Sequence, residues 1–137
     1  MRLGALIVVA VVLAAPALAQ DEPEITPEET AAATAAVEAA NLSDTVYRDI
    51  WCAGLYSHQY SSQVAAAEPG AAQRAADARD DLFRKAAVDL LAAGLSETEF
   101  TGLAEAVHIV VLSQVRVGAT ATDFSDEACE RARLPQP

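Results

Sequence analysis

Apolar positions recur at helical spacing in five stretches of the chain, and each stretch carries recognisable start or stop signals. Thr26, Pro27 and Glu29 supply the N-cap, first and third positions of a capping box, so a first helix is predicted from Pro27 to about Ala40. Alanine fills most of it, which favours helix but offers little apolar area, and this is expected to be the loosest-held element. Ser43 then caps a second helix, with Asp44 in its first turn. Val46, Ile50, Ala53, Ser57, Tyr60 and Val64 share one face. Tyr47, Trp51, Leu55 and His58 flank that face on one side, Cys52 and Tyr56 on the other. A helix apolar on so many sides is normally surrounded by neighbours, which makes it the central one. The turn signal Glu68-Pro69-Gly70 marks its end.

A third helix is predicted over 71–93 with Gly94 as its stop, and Ala72, Ala76, Phe83, Ala86, Ala87 and Leu90 as its stripe, Leu82 alongside. Ser96 and Glu99 form a second capping box, with Leu95 placed to staple onto Phe100. The fourth helix runs from there to about Val117, burying Phe100, Leu103, Ala104, Val107, Val110, Val111 and Val115. The segment HIVVLSQV is β-branched enough to suit a strand, but the capping box, the stop at Gly118 and the lack of any pairing strand decide for helix. A loop through Thr120 and Thr122 reaches Ser125, which caps a short fifth helix carrying Cys129. The fold class is therefore all-α, a bundle of four helices plus a short C-terminal fifth. One domain spans 26–133, and 134–137 is a tail.

The N-terminus alters how the cysteines are read. Arg2, an uncharged apolar run over 3–15, Pro16 and the small-x-small triplet of Ala17, Leu18 and Ala19 have the layout of a secretory signal peptide cut after Ala19. Cleavage leaves 118 residues, enough for one modest core. Residues 20–25 are expected to be an acidic, disordered lead-in. In an oxidising compartment the only two cysteines, Cys52 and Cys129, are expected to form a disulfide that fastens the fifth helix to the second. Alanine-rich usage with Lys85 as sole lysine suits a GC-rich bacterial genome, so the periplasm, or secretion, is the expected location.

Eight basic against twenty acidic side chains give the processed chain a net charge of −12, which disfavours nucleic acid and anionic membrane surfaces as partners. After cleavage no stable membrane insertion is expected, and the oligomeric state is left open. Cys52 and His58, six apart on a helix, point about 120° from each other, so they do not converge as metal ligands or as nucleophile and base. His58 and His108 with Glu105 would be the minimum for a catalytic arrangement, against the plainer role of two partly buried histidines. Tyr47, Trp51, Tyr56 and Tyr60 read as core or as an interface, and exposure of Trp51 or Tyr47 would favour the interface. Arg79, inside the third stripe, would clamp an anion, pair with Asp49 or Glu105, or snorkel to the rim. Gln114 is placed to hydrogen-bond across the bundle.

No phosphate loop, nucleophile elbow or metal motif is present, and no cofactor or metal is implied. Trp51-Cys52 and the EACER segment around Cys129 are loosely similar, over a few residues, to the small periplasmic acid-stress chaperones. That resemblance implies a helical fold, one disulfide and protection of clients in acid. The expected function is a non-enzymatic protein-interaction, accessory or stress-protective role, with another envelope protein as partner. The competing reading is a small-ligand carrier or enzyme with a site between the second and fourth helices, lined by Tyr56, Tyr60, His58 and His108 and needing Arg79 to converge with both histidines; Tyr47, Trp51, Tyr56, His58, Arg79 and His108 make up the candidate binding surface.

Overall fold

The computed structural model describes residues 24–135. The expected signal peptide, most of the acidic lead-in and the last two residues of the tail lie outside the described residues. Five helices follow in order: α1 (Pro27–Ala40), α2 (Asp44–Ala65), α3 (Pro69–Ala92), α4 (Glu97–Val117) and α5 (Asp126–Arg133). No strand occurs among the described residues, and Cys52 is bonded to Cys129, so the chain is all-α and stapled by one disulfide.

Local chemistry fixes four of the five helix starts. Thr26 accepts the Glu29 N–H at 3.1 Å while the Glu29 carboxylate accepts the Thr26 N–H at 2.8 Å. Ser96 and Glu99 repeat the exchange at 3.2 and 2.7 Å. The hydroxyls of Ser43 and Ser125 accept from Val46 and Ala128. The α3 start departs from expectation: Pro69 occupies the first turn, so Pro69 and Gly70 belong to the helix rather than to the loop. Proline is welcome there because its missing N–H would have had no helical partner. The turn is instead 66–68, where Ala67 takes a left-handed φ of 56° that alanine rarely adopts.

Helix α2 is the centre of the bundle. Eight consecutive residues, Asp49 through Tyr56, are buried, as a strut with neighbours on every side must be. Along its last two turns Tyr60 and Val64 are exposed. Helix α3 makes the most extensive contact with α2, α4 covers another side, and α5 reaches α2 and α3. Helix α1 lies on α4 alone, with Ala33 its one buried residue.

The α3 stripe is shifted from its predicted register. Ala72, Ala75, Ala78, Leu82, Ala86 and Leu90 are buried, in place of the face centred on Ala76, Phe83 and Ala87. Small residues at 75 and 78 let α3 approach α2 closely, which turns Phe83 to the rim, where its ring meets Phe100 edge-on with centroids 6.2 Å apart. Gly54 plays the same part between α2 and α4: a Cβ there would sit 3.0 Å from Val111 Cγ2 and 3.6 Å from the His108 Cα. The helices touch nearly backbone to side chain at that point. Lys85 ties α3 to α5, its Nζ donating to the carbonyls of Ala132 at 2.8 Å and Arg133 at 3.2 Å, a cation on the last turn of a helix.

Candidate functional site

Trp51 is fully buried, and its surroundings explain why. Its Nε1–H donates to Gln114 Oε1 at 2.9 Å, and the same oxygen accepts the Asp123 backbone N–H at 3.1 Å. Phe124 meets Trp51 edge-on at 5.5 Å between centroids and Tyr47 at 5.9 Å. The Tyr47 hydroxyl donates to Asp123 Oδ2 at 2.6 Å. Together these groups fasten the loop between α4 and α5 onto the bundle, which brings Cys129 to Cys52 with 5.3 Å between Cα atoms. Trp51 is therefore not a surface anchor, and Tyr47 is half-buried with its hydroxyl engaged. Burial, then the hydrogen bond and charge of Asp123, push the Tyr47 phenol well above the ordinary tyrosine value.

Tyr56 serves α5 in a parallel way. Its hydroxyl donates to Glu130 Oε2 at 3.0 Å, and the Arg133 guanidinium lies 5.9 Å over its ring. Burial and the Glu130 carboxylate push its pKa up to about 12, partly offset by Arg133. Because the folded value is raised above 10.0, the stabilisation is complete below that pH and is lost as pH rises through about 12. Melting temperatures followed by circular dichroism are expected to fall steeply between pH 10 and 12 in the natural protein. The fall should flatten in Tyr56→Phe and further in Tyr47→Phe/Tyr56→Phe; a slope unchanged in the double variant would contradict the assignment.

The remaining candidates divide. Arg79 Nε donates to Asp80 Oδ1 at 2.9 Å, and its guanidinium lies 5.4 Å from the centre of the Tyr60 ring. It thus snorkels to the rim rather than pairing with Asp49 or Glu105. Asp49, the buried carboxylate, is held by Arg48 at 3.0 Å. The His108 Cα lies beside Gly54 on the α2/α4 seam, His58 follows Gly54 by one turn, and both histidines are half-buried. Among the described residues no group of three or more His, Cys, Asp or Glu side chains is arranged to hold a metal ion.

Of two clefts among the described residues, neither is lined by His58, His108 or Arg79. The smaller, about 370 Å³, lies between Tyr56 and the acidic start of α5. The larger, about 690 Å³, opens where α1 and α3 end and α2 and α4 begin. Leu42, Val46, Leu90, Leu95 and Leu103 form its apolar wall, and small residues of α1 and α4, Ala36, Ala40 and Gly102, leave the space. Asp89 and Glu99 stand on the lining, which contains no basic residue. Sequence reasoning missed this cleft because its residues sit within a few positions of four different helix ends, which only the tertiary structure brings together.

These features define an acidic, disulfide-stapled helical bundle with an apolar cleft at its end. Compared with protein-family models, with curated proteins and with solved structures, the chain matches none.

Proposed function

We propose that the chain is an exported, non-enzymatic accessory protein that binds other proteins and protects them under acid stress. The observation that carries this reading is the attachment of α1. That helix rests on α4 alone, through a thin face of Thr30, Ala33 and Val37 of which only Ala33 is buried, while α4 is the one helix among the described residues long and apolar enough to cross a membrane. Releasing α1 uncovers the α4 surface beneath it, a sticky face for unfolded clients.

Acid supplies the release. The carboxylates of Glu29 and Glu99 are held below the ordinary range, chiefly by the N–H groups of Thr26 and Ser96 that they accept from. Depressed values mean that their stabilisation is present at neutral pH and lost as pH falls through them, so the start of α1 loses its cap in acid. Over the same range the processed chain moves from −12 to about +10 with both histidines charged, and self-repulsion opposes the compact state. The disulfide holds α2 and α5 together meanwhile, and it also supports an oxidising location.

Amide hydrogen exchange at pH 7 and pH 3, paired with light scattering of an aggregating client enzyme, tests the reading. The α1 amides are expected to lose protection at pH 3 while α2 keeps its own, with aggregation suppressed at pH 2 to 3 and not at pH 7. An unchanged, fully protected monomer that leaves client aggregation untouched at pH 3 would overturn it.

A further inference from the structure

Gly102 has no packing reason to be glycine. It lies inside α4, where glycine costs roughly 1 kcal/mol relative to alanine, and a Cβ built on it meets nothing within 4 Å. This contrasts with Gly54, whose missing side chain is required by Val111. What Gly102 does is widen the cleft of about 690 Å³ at the end of the bundle. The volume falls within the range of small-ligand sites, and the wall of Leu42, Val46, Leu90, Leu95 and Leu103 suits an alkyl chain.

The polar part of the lining selects the head group. Asp89 and Glu99 are its only charged members, and the whole chain is strongly anionic. An alkyl chain in the cleft would therefore hold a cation favourably and an anion at a penalty. We propose that this cleft is a binding site for a single-chain amphiphile with a cationic head group, its tail along the leucine wall and its head beside Asp89 and Glu99. The proposal does not rest on the acid-stress reading, since it applies at neutral pH with α1 in place.

The test uses dodecyltrimethylammonium and dodecyl sulfate, each well below its micelle concentration, titrated at pH 7 into the disulfide-intact protein and followed by amide chemical shifts. Shifts are expected around Leu42, Leu95 and Gly102, with the ammonium bound at least tenfold more tightly than the sulfate, while buried Trp51 keeps its emission and reports an intact fold. Asp89→Asn should narrow that preference, and Gly102→Leu, which fills the space, should weaken ammonium binding at least tenfold. If Gly102→Leu does not fold, Gly102→Ala replaces it; that variant should melt higher than the natural protein yet bind the ammonium more weakly. Equal affinity for the two head groups, or ammonium binding untouched by the Gly102 substitution, would overturn the proposal.

Discussion

Replacing Cys52 and Cys129 together by alanine is expected to lower stability by about 4 kcal/mol. The bridge joins residues 77 apart, so in its absence the unfolded chain regains the freedom of the whole segment from the middle of α2 to α5. The chain-entropy relation places the effect at roughly 4 to 5 kcal/mol for a loop of that size. For a domain of this length that corresponds to a fall in melting temperature of roughly 15 °C. Melts with and without reductant should reproduce the difference in the natural protein and show none in the alanine variant. The loss should not be confined to α5, because Cys52 is fully buried in the middle of α2 and Cys129 follows directly on the loop that covers Trp51. A melt indifferent to reductant would mean that the packing around Lys85 and Tyr56 already holds α5 unaided.

Much of the architecture was legible because its signals are local. The two capping boxes, the serine caps and the stops at Gly94 and Gly118 each depend on residues within one turn, and the helices begin and end beside them. The α2/α3 turn was misplaced because Pro69 serves a helix start as readily as a loop, and only the left-handed Ala67 settles which. The α3 register slipped for a different reason: in an alanine-rich helix several faces are equally apolar, and the choice belongs to α2, which accepts Ala75 and Ala78 at close range. Pairing of the cysteines could be read from compartment and count, whereas the partners of Trp51 could not. The place of Gln114 inside a stripe showed that it would hydrogen-bond across the bundle but not to what, since Trp51 lies 63 positions away, and Asp123, 76 positions from Tyr47, has no pattern of its own. The larger cleft escaped for the related reason that four helix ends must meet before it exists.

Trp51→Ala is expected to destabilise the fold by about 3 to 5 kcal/mol, and the way it does so distinguishes a structural tryptophan from a binding one. Removing the indole empties the largest fully buried side chain of the core and takes away the edge contact with Phe124. It also leaves Gln114 Oε1 with only the Asp123 N–H as donor. The loop between α4 and α5 then loses its seat on α2, so the variant should melt earlier and also expose the disulfide to reductant. Trp51→Phe separates the contributions: most of the ring packing survives, and the missing indole donor should cost about 1 kcal/mol. Against a total stability of roughly 5 to 15 kcal/mol for a domain of this kind, the alanine variant is close to unfolding and the phenylalanine variant is not. Circular dichroism melts of the two variants, with thiol release under mild reductant, measure both effects. A Trp51→Ala protein that melted with the natural one yet no longer captured its partner would place the tryptophan on an interface. The concentration of aromatic residues in α2 is otherwise explained by the strut itself, since Tyr47 and Trp51 both meet Phe124 and Tyr56 reaches Glu130, and together they hold the segment that follows α4 to the one helix in contact with α3, α4 and α5.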